Sequence, residues 1–293
     1  MSAVLAHATA PRYLRPAQTP RALAAIGDSA VGCLLMELET WPKPGLVSHV
    51  DNGSHDDMDA DTFRRSAAAI KPYFQDLADA GADGCGMGQL RAIGMKAEAA
   101  MLAATSGVNT HRGAIFGLGL LCAAAGARAG GVIGSELPLG GVVSRLWGRS
   151  ITDGPVLLHS HGSAALRQFR AGGARAEAAQ GFPSVYQLGL PALRRTSRAV
   201  PGDEEAARVE TCFALIAGVE DTNLLHRGGL DGLRFARRST RHFLDTGGVR
   251  RAGWRERARS VHEQFVARRL SPGGSADLLA MTLFVDAHER PSP

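Results

Sequence analysis

The sequence predicts an all-α fold, a single compact multi-helix domain with long functional loops at its helix ends. Three observations predict it. Apolar residues recur at i, i+4 spacing along most of the chain, and neither an internal repeat nor an alternating strand-and-helix rhythm appears. Gly and Ala are abundant while aromatics make up only 5% of the 293 residues, a bias that lets helices approach closely. With 45% hydrophobic and 21% charged residues, the composition is that of an ordinary globular chain. Residues 1–20, broken by Arg and Pro and lacking a continuous apolar run, read as a flexible tail, and 21–290 as one helical domain.

The first helix is expected from Ala22 to Trp41, with Ile26, Ala30, Leu34 and Leu38 on one face and Pro42 as its stop. A polar stretch follows, too long for a simple connection and hence a candidate functional loop. Asp59 or Asp61 can cap the second helix, whose apolar stripe is Phe63, Ala67, Ile70, Phe74 and Leu77. A third helix runs from Leu90 to Ala104 and stops at TSGVNTHRG. AIFGLGLLCAAAGARA is apolar nearly all round, as befits a helix through the middle of a bundle. Helix is expected within the region 130–162, where VLLHSHG is the one run that could be extended. Later helices are expected at Asp203 to Gly218, Gly229 to Leu244, Trp254 to Leu270 and Ser275 to His288.

The net charge of +5 comes almost wholly from Arg, since Lys43, Lys71 and Lys96 are the only lysines. This balance favours anionic partners. The arginines are scattered over several helix faces without interleaved aromatics, which argues against a nucleic-acid platform. Cys33, Cys85, Cys122 and Cys212 form no CxxC pair, pointing to neither a zinc site nor a disulfide framework, and a reduced cytoplasmic setting is the natural expectation. No uncharged apolar run reaches the roughly eighteen residues of a membrane span.

Four polar islands interrupt the helices. Pro42 to Asp61 combines Lys43 with Asn52, His55, Asp57 and Asp59: a lysine for phosphate, and carboxylates of the kind that hold Mg²⁺ beside a nucleotide triphosphate. Thr105 to Gly113 sets Asn109, Thr110, His111 and Arg112 ahead of Gly113, at a helix start whose N–H groups face an anion. Asn109 or Thr110 can equally serve as a plain cap. Glu220 to Gly229 carries Asp221, Asn223, His226 and Arg227. Ser271 to Asp277 reads as a Gly-rich turn opening a helix, capped by Ser275; without a Walker lysine or a preceding strand it is no P-loop.

Taken together, PKPGLVSHVDNGSHDDMD, LRAIGMKAEAAMLAATSGVNTHRGAIFGLGLL, GARAEAAQGFPSV, EDTNLLHRGG and SPGGSADLLAMTLF resemble the triphosphoribosyl-dephospho-CoA synthase family, in the expected order from about Ala22 to Asp286. The form WPKPGLVSHVDNGSHDDMD is similar to the malonate decarboxylase branch. The resemblance implies an enzyme that joins the ribose of ATP to the 2′-hydroxyl of 3′-dephospho-CoA and releases adenine. Its product would be the precursor of the prosthetic group on the decarboxylase's acyl-carrier subunit, so that subunit or a partner transferase is an expected partner. Such chemistry needs an oxocarbenium-like transition state stabilised, adenine helped to leave and a hydroxyl deprotonated.

On this resemblance Lys43, His111 and Arg112 are expected on the phosphates, with Asn52, His55, Asn109, Thr110, Gly113, Asn223, His226, Arg227 and Ser275 also binding substrate. Asp57, Asp59 and Asp221 are the expected Mg²⁺ or ribose ligands. Glu98, Asp57, His111 and Glu37 are the catalytic candidates, with Glu177 a further acid. Glu98 could also be a solvated neighbour of Lys96, and Arg175 with Glu177 a local ion pair. The rival readings are a metal-dependent ADP-ribosyl or nucleotide hydrolase and a basic nucleic-acid-binding protein.

Overall fold

The computed structural model describes residues 20–155 and 172–290. Among them there is no strand, and the α-helices in order are α1 (Pro20–Leu38), α2 (Ala60–Ala82), α3 (Met87–Ala104), α4 (Arg112–Ala129), α5 (Leu139–Thr152), α6 (Gly173–Ala179), α7 (Leu190–Ala199), α8 (Glu204–Gly218), α9 (Thr222–Asp245), α10 (Trp254–Ala267) and α11 (Gly273–Glu289). A π-helical turn, Val185–Gly189, leads into α7, and a 3₁₀ turn, Gly248–Arg250, follows α9. The all-α expectation holds. The expected tail before Pro20 and the run 156–162 lie outside the described residues.

Helix α4 is the axis, buried on all sides from Gly117 to Ala127 and packed by α1, α2, α5 and α11. Its contact with α2 is backbone against backbone. A Cβ on Gly126 would overlap the Ala78 carbonyl and one on Gly81 the Ala123 carbonyl, so small residues set this close crossing. A smaller apolar cluster of Val209, Phe213, Phe243, Val249 and Trp254 ties α8, α9 and α10 together. Among the described residues no helix is long and apolar enough to cross a membrane.

Several boundaries differ from the sequence reading for physical reasons. Helix α1 ends at Leu38 rather than Trp41, because Thr40 Oγ1 and Lys43 Nζ take up the carbonyls of Met36 (2.7 Å) and Glu37 (2.6 Å). Asp59 caps α2, accepting from Thr62 N at 2.8 Å. Helix α9 starts at Thr222, not Gly229. Asp221 caps it, and Gly229, at φ 58°, is a kink inside it. The helical expectation in 130–162 is met by α5, whereas α6 and α7 were not anticipated. Arg175 and Glu177 do not pair. Arg175 donates to the carbonyls of Ile151, Thr152, Gly154 and Pro155, and Glu177 accepts from Ser184 N (2.7 Å) and Oγ (3.0 Å), so each ties down the chain at one end of α6.

Candidate active site

The four polar islands come together where α4, α9 and α11 begin. On the inner side, Lys43 is fully buried and donates to both the carboxylate and the main-chain carbonyl of Glu37. Burial pushes the Glu37 carboxyl up, against the pull of the ammonium. His111, also buried, closes α4 from its N-terminal side with Nδ1 2.6 Å from Ser66 Oγ, which in turn accepts from Thr110 Oγ1 at 2.7 Å. Phe63 packs edge-on to its ring, with centroids 5.0 Å apart. Burial and the nearby Lys43 charge press the His111 pKa down to about 3, so the imidazole is neutral. It offers hydrogen bonds, not charge.

Asp221 joins the third island to the fourth. Its Oδ1 accepts from Asn223 N (2.9 Å) and Leu224 N (3.4 Å), and its Oδ2 from Ser275 N (2.7 Å) and Oγ (2.9 Å). One turn into α11, Asp277 is half-buried and lies against the start of α4, where the Ala114 N–H faces it and a Cβ on residue 113 would overlap its Oδ2. Gly113 is therefore the seat of this carboxyl. Burial, with Glu37 and Asp221 close by, lifts the Asp277 carboxyl well above the usual carboxylate range. The three acids differ in what occupies them. Glu37 is held by Lys43 and Asp221 by four donors, while among the described residues Asp277 has only a backbone N–H.

Toward solvent, His55 Nε2 lies 2.8 Å from Ser271 Oγ, and its Nδ1 lies 3.2 Å from Arg227 Nη2. Nδ1 also faces Asp57 Oδ1 at 3.6 Å, but burial and the Arg227 charge outweigh that carboxylate and lower the pKa of the ring. Arg227 also donates to the Ser54 carbonyl (3.2 Å). Ser54 Oγ donates to the Leu270 carbonyl at 2.7 Å, so this edge sews the first, third and fourth islands together. Arg112 donates from Nε to Glu98 at 2.7 Å, and Asn109 Oδ1 accepts from Arg112 N at 3.2 Å.

With this geometry in place, the chain can be set beside known proteins. A family model described as ATP:dephospho-CoA triphosphoribosyl transferase matches residues 23–293. The chain belongs to this family. Similar relatives of the transferase family include the protein named "Probable 2-(5''-triphosphoribosyl)-3'-dephosphocoenzyme-A synthase" of Stutzerimonas stutzeri (strain A1501), 40% identical over 92% of this chain and 93% of the relative. Proteins of the same name from Azotobacter vinelandii (40% identical, 89% and 90%) and Pseudomonas savastanoi pv. phaseolicola (39%, 90% and 91%) match as broadly. No solved structure matches.

In this member of the transferase family, the expected phosphate ligands divide. Arg112 and Arg227 remain partly open to solvent, while the Lys43 ammonium is enclosed against Glu37 and the neutral His111 carries no charge. Asn52 and Asn109 are exposed, His226 is exposed on α9, and Asn223 Nδ2 lies beside Gly273. Asp57, Asp59 and Asp221 do not form a ligand set; among the described residues, no three His, Cys, Asp or Glu side chains are placed to hold a metal. Asp221 has both oxygens committed. Glu98 is partly exposed and pairs with Arg112. Ser275 does not cap its own helix, because its hydroxyl is turned to Asp221. The sequence reading passed over Asp277, Ser66 and His262. A carboxylate one turn into a helix looks like an ordinary charge, and only folding places it on Gly113.

Proposed function

We propose that this chain joins the 5-triphosphoribosyl group of ATP to the 2′-hydroxyl of 3′-dephospho-CoA with release of adenine. The single observation that carries the reading is that all four islands meet at three helix starts, where the Asp277 carboxyl has no side-chain partner among the described residues. Helix N-termini with partly exposed Arg112 and Arg227 suit the polyanionic triphosphate. A carboxyl whose hold on its proton is strengthened by desolvation and by the nearby Glu37 and Asp221 suits the departing adenine. In the proposed step the bond from the anomeric carbon to adenine breaks with its electrons going to the base, Asp277 supplies the proton, and the acceptor hydroxyl bonds to that carbon as its own proton passes to water. Neutral His111 and Ser66 orient the start of α4 against the ribose.

Magnesium is proposed as the counter-ion of ATP, neutralising phosphate charge. Asp221, with four donors, does not fit as a ligand, whereas exposed Asp57 and Asp59 each keep an oxygen free for one. We place the enzyme in the cytoplasm and its product in the prosthetic-group supply of malonate decarboxylase, whose acyl-carrier subunit or attaching transferase would receive it. Purified protein given ATP, Mg²⁺ and dephospho-CoA should yield free adenine and a CoA derivative heavier by triphosphoribose. Release of ADP, or of ribose triphosphate without any acceptor, would sink the transferase reading.

A further inference from the structure

The Lys43 turn is fastened from outside by one histidine. His262 is buried on α10, with Nδ1 2.6 Å from the Lys43 carbonyl oxygen and Nε2 3.2 Å from Asp51 Oδ1. A carbonyl oxygen can only accept. Asp51 accepts as well, since its other neighbours are the donors Trp41 Nε1 (3.2 Å) and Gly53 N (2.9 Å), the pattern of an ionised carboxylate. A neutral imidazole has one N–H and would set a lone pair against one of these two oxygens. The Gly45 N–H also reaches Nδ1, at 3.3 Å, as the neutral tautomer would require, but the Lys43 carbonyl oxygen is 0.7 Å closer, and an unprotonated Nδ1 would face it lone pair to lone pair at 2.6 Å.

We propose that His262 is a positioning residue, carried as a doubly protonated imidazolium that holds both ends of the turn bearing Lys43 by donating to the Lys43 carbonyl and to Asp51. The charges around the ring are Asp51 from the loop, Glu263 beside it on α10, and Arg259 one turn earlier, stacked over Trp41 at 5.0 Å. The Lys43 ammonium is directed away, to Glu37. Burial lowers the affinity of the ring for its proton, but the bonds to Asp51 and the Lys43 carbonyl outweigh it, and His262 titrates above the ordinary imidazole value. Asp51 correspondingly sits below the usual carboxylate range despite its partial burial.

The sign follows from linkage. His262 takes up its proton more readily folded than unfolded, so its stabilisation is complete below the unfolded value of 6.5 and fades as pH rises through the folded one. Deprotonation releases the Lys43 carbonyl, and the Lys43–Glu37 pair loses its outer support. Activity should therefore have an alkaline limb governed by His262.

Full-length protein labelled with ¹⁵N-histidine tests this by NMR during a pH titration. The activity arm rests on the proposed transfer reaction, whereas the spectrum does not, so failure of the clamp and failure of that reading are told apart. Near neutral pH one histidine, absent from the spectrum of His262→Gln, should keep both ring protons after the exposed histidines have lost one. In Asp51→Asn, which preserves the Trp41 contact, its pKa should fall by a unit or more, about tenfold in proton affinity, and the alkaline limb of kcat/KM should move with it. A single ring proton near neutral pH overturns the charged state. A limb that stays put while the ring pKa moves overturns the positioning role. Should His262→Gln not fold, the wild-type and Asp51→Asn spectra decide the matter between them.

Discussion

The inner and outer halves of the site use the same residue types for opposite ends. Inside, Lys43 with Glu37 and His111 with Ser66 form closed pairs, and Asp221 is satisfied by four donors. Outside, Arg112, Arg227 and Asp57 reach solvent and keep capacity for a ligand. Asp277 stands on the border, half-buried and, among the described residues, met by a backbone N–H but by no side-chain partner. The difference teaches that a polar residue in a candidate site is informative when its hydrogen bonds are incomplete. Substitutions in the inner half should act on folding, and those in the outer half on catalysis.

The largest effect is expected inside. Glu37→Gln leaves the Lys43 ammonium buried without its counter-charge, and breaking one side of such a pair costs about 3–5 kcal/mol. Urea unfolding should show the loss, and a midpoint near that of the wild type would place Glu37 in the outer, functional half. Next comes Asp277→Asn. It removes the proton donor but keeps the shape, so turnover should drop roughly a hundredfold or more while the melting temperature holds. A normal rate of adenine release would remove Asp277 from the mechanism. If the variant unfolds instead, Asp277 belongs with the inner pairs.

His111 gives a comparison in pH. Its folded pKa of about 3 lies below the 6.5 of an ordinary histidine, so the unfolded chain binds the extra proton first. Stability carried by the neutral ring is complete above 6.5 and is lost as pH falls from there toward 3. Glu37, Asp221 and Asp277 shift in the opposite sense. The wild type must therefore be set against His111→Gln, in which the carboxyl contributions largely cancel. The stability difference between the two should shrink on acidification. A difference independent of pH would mean that His111 has the same pKa folded as unfolded, and one that grows on acidification that it is charged when folded.

How far this division was legible in the sequence depends on the distance between partners. The Asp59 cap and the buried run of α4 were legible because their determinants are local: three residues for the cap, a helical period for the burial. Lys43 was not. Between Pro42 and Pro44 in a polar island it looks like a surface lysine, and its burial follows from how it closes the end of α1 at Glu37, six residues earlier. Asp277 was invisible as an acid because its neighbours Glu37 and Gly113 are brought to it only by packing α1 and α4 against α11. Helix α6 escaped because a seven-residue segment beginning at glycine carries little apolar periodicity, and α7 because its buried face, Leu190, Ala192, Leu193 and Thr196, holds only two large apolar residues in an Arg-rich segment.

The smallest effect is expected at the outermost pair and sharpens the comparison most. Glu98 and Arg112 are both partly exposed, and an ion pair of this kind contributes about 0–1 kcal/mol. Glu98→Gln should therefore leave unfolding nearly unchanged. If Glu98 serves to aim Arg112 at phosphate, the KM for ATP should rise a few-fold with kcat intact, because the guanidinium loses a fixed direction but keeps its charge. A fall in kcat with KM unchanged would instead make Glu98 a participant in the chemistry. It would then be a second acid beside Asp277, and the border between the two halves would have to be redrawn along α3.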